Sequence, residues 1–375
     1  MGTFLNKISI HGFKSIKKLE DFSLGKLNIL VGANGAGKSN FVDFFRMLRS
    51  MAEQGLKTFV TNNGKADGFF FGGPKETPQI NAHLVFGQNE YRFILEPTAA
   101  NEMMVKEEWI LWTNTGGWKS KGGGTLESDL HNWKDSPFIG GYKHSVESYV
   151  YESVSSWIVY HFHDTSRLAP MRRDHSIHDW RELNPDASNI ASFLYHMKNS
   201  NSQTYQRIRE TIQLIAPFFD DFILEPEKNG QEEVIRLQWR QKGSSYPFQP
   251  FHFSDGTLRF ICLATALLQT SPPSSILIDE PELGLHPFAL EVIANLFHET
   301  SDRTQLIIST QSATLLNHFK PSELIVVDRE GNESRFRRLE DEPLRAWLED
   351  FSLGELWQKN VFDGGPSYDQ GTRTG

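Results

Sequence analysis

The chain has 375 residues, of which 38% are apolar, and its 38 basic and 47 acidic side chains give a net charge of −9. This acidic balance disfavours a broad electrostatic surface for nucleic acid, although a local basic groove is compatible with it. A single cysteine allows no intrachain disulfide and no cysteine-based metal cluster, and no run reaches the ~18 apolar residues of a membrane span, so a soluble cytoplasmic protein is predicted.

The first predicted elements are strands over residues 4–10 and over the apolar run 27–31, followed by a helix over residues 40–53. Between the second strand and the helix lies Gly-Ala-Asn-Gly-Ala-Gly-Lys-Ser, residues 32–39. This is the pattern G-x-x-x-x-G-K-S in the strand–loop–helix context that a phosphate-binding loop requires. The loop therefore predicts a site for a nucleoside triphosphate.

Each kind of residue in this loop has a chemical role in that interpretation. Glycines let backbone N–H groups turn towards phosphate oxygens, and the helix that follows directs its positive end at the same anion. Lys38 can reach the β- and γ-phosphates, and the Ser39 hydroxyl can bind Mg²⁺. The residues predicted to bind the nucleotide from this segment are Gly32, Asn34, Gly35, Gly37, Lys38, Ser39 and Asn40.

Alternating apolar runs over residues 80–86, 91–95 and 103–112 predict an antiparallel meander. The strands ahead of the phosphate-binding loop predict a side sheet near the base and ribose of the nucleotide. Phe13 and Lys14 are candidates for contact with the nucleotide there; the alternative is a core phenylalanine and a solvated lysine.

Further along, helical patterns over 146–157 and 188–217 flank a short apolar strand over residues 157–163. That strand ends in His161 and His163, for which a structural or edge-of-site role is favoured over metal binding. A local basic cluster follows it, which is either a nucleic-acid contact or a solvated face; its members are Arg167, Arg172 and Arg173.

Two further motifs end predicted strands late in the chain. The apolar run 275–278 ends in Asp279 and Glu280, which predicts a buried parallel strand with two carboxylates at its end. Asp279 can hold Mg²⁺ opposite Ser39, and Glu280 can orient or deprotonate an attacking water. The strand predicted over residues 305–312 ends in polar side chains, among which Gln311 is the candidate to sense the γ-phosphate.

A second anion site is predicted at residues 254–257, where small and polar residues head a helix over 258–268. It cannot serve the nucleotide of residues 32–39 if the two helices begin at separate points of one domain. A second copy of the chain resolves this, because Ser254 and Gly256 of each copy would contact the ATP held by the other. A homodimer, or a higher even oligomer, is therefore predicted.

Taken together, these motifs resemble those of an ABC-type ATPase head of the SMC and RecF-like branch. Residues 32–39 match its Walker A motif, and residues 275–280 match its Walker B motif, with Glu280 as the catalytic glutamate. Residues 254–257 are similar to a degenerate form of its signature. Gln311 stands where many members have a switch histidine.

Two further stretches refine this resemblance. Within the branch, the chain is similar to short prokaryotic AAA-type ATPases of the kind found in phage-defence loci. Their heads share an N-terminal stretch found here at residues 12–16 and a C-terminal Ser-Leu-Gly-Glu-Leu-Trp found here at residues 352–357. Residues 283–286 occupy the D-loop position.

The resemblance implies an α/β fold: a P-loop ATPase head with a mixed or parallel core sheet, an antiparallel side sheet and a compact helical insertion. No heptad repeat lies between residues 39 and 254, so no long coiled coil is expected. The predicted divisions are an N-terminal lobe (1–60), the insertion (61–250), a C-terminal lobe (251–335) and a helical extension with a polar tail (336–375).

The resemblance also implies an enzyme that hydrolyses ATP with Mg²⁺, dimerises around it and regulates a partner effector. Relatives in phage-defence loci often lie beside nuclease genes, so the leading hypothesis is a regulator of an antiviral nuclease. The alternatives are a DNA-repair or chromosome-maintenance ATPase that binds DNA directly, and a transporter ATPase. Lys38, Glu280 and Gln311 are the predicted catalytic residues.

Overall fold

The computed structural model describes residues 4–114, 116–136 and 145–365. Within these ranges the strands are β1 (Lys7–Phe13), β2 (Ile16–Ser23), β3 (Leu27–Val31), β4 (Ile80–Phe86), β5 (Asn89–Pro97), β6 (Met103–Trp112), β7 (Lys119–Gly122), β8 (Ile158–Tyr160), β9 (His175–Ser176), β10 (Phe219–Ile223), β11 (Glu227–Asn229), β12 (Glu232–Ile235), β13 (Gln238–Gln241), β14 (Pro247–Phe248), β15 (Ser275–Asp279), β16 (Gln305–Thr310), β17 (Leu324–Glu330) and β18 (Glu333–Arg338). The helices are α1 (Lys38–Ala52), α2 (Leu56–Asn62), α3 (Val146–Ser155), α4 (Ile190–Ser200), α5 (Ser202–Ile215), α6 (Asp255–Leu268), α7 (Pro287–Ser301), α8 (Ala313–Leu316), α9 (Asp341–Leu344) and α10 (Leu353–Gln358).

A six-stranded mixed sheet in the order β18-β17-β3-β16-β15-β8 forms the centre of the fold. The strands β17, β3, β16, β15 and β8 run parallel, and β18 is antiparallel to β17. Both β3 and β16 are buried along their whole length, as expected for strands covered on both faces. The carboxyl ends of the parallel strands share one edge, where the phosphate-binding loop, Asp279 and Gln311 are found.

The antiparallel side sheet has the order β2-β1-β4-β5-β6-β7, which confirms its prediction from the alternating runs. Strand β1 pairs with both β2 and β4, so the sheet joins segments from either side of α1. Phe13 is fully buried and packs edge-on against Phe44 of α1, with ring centroids 5.3 Å apart. It is therefore a core residue, which leaves Lys14 as the remaining candidate contact in this turn.

Two hydrophobic cores cover the opposite faces of the central sheet. One lies between this sheet and the side sheet and includes the buried face of α1. The other packs α4, α5, α6 and α7 against the far face. Strand β3 supplies both cores in alternation, because Ile29 and Val31 face the second core while Leu30 faces the first. The helix that carries Lys38 is thus held between two sheets.

The insertion between the two halves of the site is compact. Its 188–217 pattern resolves into α4 and α5, and the side chain of Asn201 caps α5 by accepting a hydrogen bond from Thr204 N at 3.1 Å. The longest helices in the described ranges, α1 and α7, have 15 residues each, so this part of the chain holds no long coiled coil, as predicted.

The division of the chain into four parts stays a prediction, and β8, from within residues 61–250, pairs with β15 of the central sheet. The end of the predicted polar tail, beyond residue 365, lies outside the described residues. No helix in the described ranges has the length and apolarity needed to cross a membrane.

Candidate nucleotide site

The loop between β3 and α1 closes around the ammonium group of Lys38. Its Nζ donates hydrogen bonds to the carbonyl oxygens of Gly32, at 2.6 Å, and Ala33, at 3.1 Å. Only 6% of Lys38 is exposed, and this burial lowers the pKa of its ammonium group, while the carboxylates at the end of β15 act in the opposite direction. The two carbonyls that hold this buried cation are neutral. Its positive charge is therefore available for a charge-assisted hydrogen bond to a phosphate oxygen.

Two glycines give the loop its shape. A β-carbon at Gly32 would lie 2.1 Å from the carbonyl oxygen of Val327 in β17, so a side chain there would push the loop off the sheet. Gly37 has a left-handed φ of +112° and caps α1 without a side-chain hydrogen bond. Gly37 has no side chain that could cap the first N–H groups of α1. These groups therefore face the loop uncapped by Gly37, as an anion site requires.

Side chains from outside the motif brace the loop. Ser334 donates to the carbonyl oxygen of Ala36 at 2.6 Å and shares a hydrogen bond, also of 2.6 Å, with Ser15. Ser15 also accepts from the Asn40 amide at 2.6 Å, and Arg329 donates to a loop carbonyl at 3.0 Å. Sequence reasoning missed Arg329 and Ser334, because the β17–β18 hairpin that carries them has no recognisable motif.

A cavity of about 460 Å³ opens beside the loop. Its lining combines charged and aromatic side chains, including Lys14, Asn40, Phe71, Glu76 and Arg329. The Lys14 ammonium is held there by a bond of 2.6 Å to Asp43 of α1. This is the place where the sequence predicts contact with the base and ribose, and the role of Lys14 stays a prediction.

The two carboxylates of the predicted Walker B motif are fixed by the neighbouring strand. Asp279 ends β15, and its carboxylate accepts a hydrogen bond from the Ser309 hydroxyl of β16. Glu280 has a left-handed φ of +47°, and its N–H donates to the Ser309 carbonyl at 2.9 Å. Such a backbone is costly for a residue with a side chain and is found most often at functional sites.

Gln311 lies between two glutamates. Its side-chain amide donates to the carboxylate of Glu280, and its backbone N–H donates to Oε1 of Glu282 at 2.8 Å. Burial raises the pKa of Glu282, and the hydrogen bond from Gln311 opposes that rise. Oε2 of Glu282 is buried without a hydrogen-bond partner among the described residues. Glu282 was not predicted as a site residue; its position two residues after Glu280 was the available signal.

The predicted signature packs directly on the predicted D-loop. Ser254 is exposed and caps α6, its hydroxyl accepting a hydrogen bond from Thr257 N at 3.1 Å. A β-carbon at Gly256 would lie 2.2 Å from the carbonyl oxygen of Gly284, so the two segments approach too closely for any larger residue. Leu283 beside them is 38% exposed. Ser254 and Asp255 are exposed, so the start of α6 lies at the surface of the molecule.

Arg259 joins the signature to the end of β8. It is 7% exposed and donates to the carbonyl oxygens of Phe162, at 2.9 Å, and His163, at 3.1 Å, as well as to that of Leu283. His163 Nε2 in turn lies 3.0 Å from the carbonyl oxygen of Asp279. In the central sheet β8 is three strands away from β3, so the signature, which Arg259 ties to the end of β8, is displaced sideways from the phosphate-binding loop.

The basic cluster near residue 170 is not a uniform solvated face. The Arg172 side chain is 5% exposed and donates to Asp255 at 2.9 Å and to the carbonyl oxygen of Pro250 at 2.5 Å. Arg172 therefore holds the segment that leads into α6. Of the three arginines predicted as a nucleic-acid contact or a solvated face, Arg172 thus makes its contacts within the protein.

Two side chains with oxygen donors lie at this edge of the sheet. The Ser39 hydroxyl is exposed in the first turn of α1, and the Asp279 carboxylate lies at the same edge of the sheet. In nucleotide sites Mg²⁺ takes one or two protein oxygens and completes its shell with water and phosphate oxygens. The chemistry of this donor set fits Mg²⁺.

A strand–loop–helix motif after β3, two carboxylates at the end of β15 and a capped helix α6 on one mixed sheet are the arrangement of an ABC-type ATPase head. Within that class, the chain belongs to the family described as "AAA domain, putative AbiEii toxin, Type IV TA system". The family model matches residues 27–317, which is most of the chain.

Two curated relatives match parts of the chain. The energy-coupling factor transporter ATP-binding protein EcfA3 of Oenococcus oeni is 26% identical over 145 residues, which make up 34% of this chain and 50% of that protein. Structural maintenance of chromosomes protein 3 of Arabidopsis thaliana is 45% identical over 58 residues, or 15% of this chain and 5% of that protein. The matched parts thus span half the length of these relatives or less.

Solved structures are similar over nearly the whole chain. An Smc head bound to the C-terminal winged-helix domain of ScpA has a TM-score of 0.60 at 16% identity, covering 92% of this chain and 99% of that one. An Smc head with an extended coiled coil, in a complex derived from Pyrococcus furiosus, has a TM-score of 0.51 at 15% identity, with coverage of 92% and 99%. At these identities the likeness shows the SMC-head fold.

Proposed function

We propose that this chain binds ATP with Mg²⁺ at residues 32–39 and hydrolyses it. The observation that carries the proposal is the arrangement around Lys38. Its buried ammonium is held by two loop carbonyls while Asp279, Glu280 and Glu282 lie close enough to influence its pKa. A phosphate would replace neutral carbonyls as the partner of this cation, and the carboxylates would face the γ-phosphate side of the nucleotide.

Hydrolysis would proceed by attack of water on the γ-phosphorus. The new bond joins the water oxygen to phosphorus, the bond to the β-phosphate oxygen breaks, and the water proton passes to Glu280. Gln311 holds the Glu280 carboxylate through its side-chain amide, so it acts here as a positioning residue. Lys38 would stabilise the charge that builds up on the phosphate oxygens. Mg²⁺, held by Ser39 and Asp279, would neutralise part of that charge.

The second half of the site would come from another copy of the chain. Ser254 is exposed at the start of α6, which Arg259 ties to the end of β8, three strands from the strand that precedes the phosphate-binding loop. An anion site so displaced is available to a nucleotide bound by a partner. Two copies would then enclose two molecules of ATP, with exposed Leu283 at the same interface.

Ser254→Arg is expected to block this closure while leaving nucleotide binding by the single chain within about twofold of wild type. The added side chain is long and cationic, and it projects from the exposed start of α6. Losing the helix cap costs about 1 kcal/mol by itself, so Ser254→Ala, which also loses the cap, is the matched control. ATP-dependent dimerisation measured by light scattering should fail for Ser254→Arg, whereas Ser254→Ala, which loses one contact with ATP but adds no bulk, should weaken dimerisation and still allow it. Equal dimerisation of both variants would refute the assignment.

The output of the ATPase would be regulation of a partner effector, and a nuclease in antiviral defence is the one we propose. The family description, which names a putative toxin of a type IV toxin–antitoxin system, supports a role in cellular defence. The net charge of −9 and the internal contacts of Arg172 disfavour direct DNA binding as the main activity. ATP-dependent dimerisation of two copies of the chain would change the surface to which such an effector binds.

Co-purification with the products of neighbouring genes, with and without ATP, tests this assignment. The proposal predicts that a nuclease co-purifies with the wild-type chain and that ATP changes the yield of the complex. It is contradicted if no neighbouring product co-purifies and the chain alone binds DNA in a salt-sensitive manner. That result would favour the alternative of an ATPase that clamps DNA itself.

A further inference from the structure

The C-terminal stretch that resembles other short ATPases of this branch lies against the nucleotide site. Residues 352–365, called the C-terminal strap below, include α10 and a tight loop after it. Leu353, Leu356 and Phe362 are buried in the core that covers the far face of the central sheet. The strap is therefore packed along the protein and contacts it at two further points.

The first of these points is the segment that follows Gln311. A β-carbon at Gly354 would lie 2.1 Å from the carbonyl oxygen of Ala313 and 2.7 Å from Oδ1 of Asn317. The Gly354 N–H also donates to Asn317 Oδ1 at 2.8 Å. Helix α10 thus lies directly on α8, whose first residue is two positions after Gln311. Any side chain at Gly354 must separate the two helices.

The second point is the start of the phosphate-binding loop. Gly364 is buried with a left-handed φ of +75°, and a β-carbon there would lie 2.6 Å from Cγ1 of Val326 and 3.8 Å from Cα of Gly32. Gly32 itself has no room for a side chain beside Val327. A β-carbon at Gly364 would thus clash with Val326 and just reach Gly32, which places the strap beside the start of the phosphate-binding loop.

The strap loop is closed by contacts of its own. Asn360 has a left-handed φ of +54°, which ends α10 and reverses the chain, and its side chain accepts a hydrogen bond from Gly365 N at 2.9 Å. Arg337 of β18 donates to the carbonyl oxygen of Phe362 at 2.7 Å. These bonds fix the shape that presents Gly364 to the phosphate-binding loop.

We propose that the C-terminal strap positions both halves of the nucleotide site, with Gly364 holding the phosphate-binding loop and Gly354 holding the segment behind Gln311. This inference rests on the proposed ATPase function. Because Gly364 acts on the loop, its contact sets nucleotide affinity. Because Gly354 acts on α8, and through it on the Gln311 amide that holds Glu280, its contact sets the rate of hydrolysis. The two residues are positioning residues with separable effects.

Two alanine variants test this separation through the affinity for ADP and the steady-state constants for ATP. Gly364→Ala should weaken ADP binding and raise KM for ATP by about tenfold each, with kcat within twofold, because the loop is displaced. Gly354→Ala should lower kcat by about tenfold with ADP affinity within twofold. Gly117→Ala is the matched control, since a β-carbon there meets no atom within 4 Å.

Asn360→Ala keeps the proposal testable if an alanine at either buried glycine prevents folding. It removes the bond to Gly365 N without adding bulk, and it should weaken ADP binding in the same direction as Gly364→Ala. The folded fraction of each variant is measured first, from its melting curve. Changes in melting temperature with unaltered ADP affinity, KM and kcat would show that the strap is only structural and overturn the proposal. A wild-type chain that neither binds nor hydrolyses ATP would instead refute the proposed function.

Discussion

Lys38→Ala is expected to lose ATP binding and turnover together, with kcat/KM falling by about a hundredfold or more. The variant removes the only charged donor of the phosphate-binding loop, which is already buried and held by the carbonyls of Gly32 and Ala33. Removing one preorganised donor from a site where charge develops costs about a hundredfold to a thousandfold in rate. Phosphate release at saturating and subsaturating ATP, together with direct nucleotide binding, measures both effects.

Lys26→Ala is the matched control for this variant. Lys26 is a surface lysine whose ion pair with Asp302 is exposed, so its loss is expected to change neither binding nor turnover. Wild-type turnover in Lys38→Ala would refute the assignment of residues 32–39 as the nucleotide site, because the loop would then be a glycine-rich turn with no role in catalysis.

Glu280→Gln is expected to keep ATP binding while turnover falls by about a hundredfold or more. The amide is nearly identical in size to the carboxylate, so Lys38 and the loop should be undisturbed. A general base contributes about a hundredfold to ten-thousandfold, and an amide cannot accept the water proton. Binding and phosphate release, measured on the same preparation, separate the two steps.

Glu291→Gln controls for the loss of one negative charge. Glu291 is exposed on α7, away from the strand ends that carry Asp279 and Glu280, and the variant should hydrolyse ATP like wild type. A Glu280→Gln variant that hydrolyses ATP at the wild-type rate would mean that another group takes the proton, and Glu282 would be the next carboxylate to examine.

The sequence predicted the fold correctly where the local pattern of apolar residues matches the burial of the element in the folded protein. The apolar run ahead of Gly32 and the run ahead of Asp279 have the composition of strands buried on both faces, and both are central strands of the sheet. The alternating runs from residue 80 onward predicted the side sheet, because alternation is typical of strands with one buried face. In these segments a single local pattern of apolar residues determines the element.

The contacts that support the site could not be predicted, because they join positions far apart in the chain. Ser334 braces the phosphate-binding loop almost three hundred residues before it, and Ser334 lies in no motif that would indicate the pairing. The sequence placed Arg172 in a basic cluster, but its side chain hydrogen-bonds to residues near 250 and is held inside the protein. Gly354 stood in a recognisable stretch, but only its packing against Ala313 suggests what that glycine does.

The most direct test of the central claim, a nucleotide site shared between two copies of this chain, is the mass of Glu280→Gln in solution with ATP and Mg²⁺. Multi-angle light scattering is predicted to give the mass of a single chain without nucleotide and twice that mass with ATP, and adding Ser254→Arg to the same variant should restore the single-chain mass. A single-chain mass for Glu280→Gln with ATP bound would contradict the account.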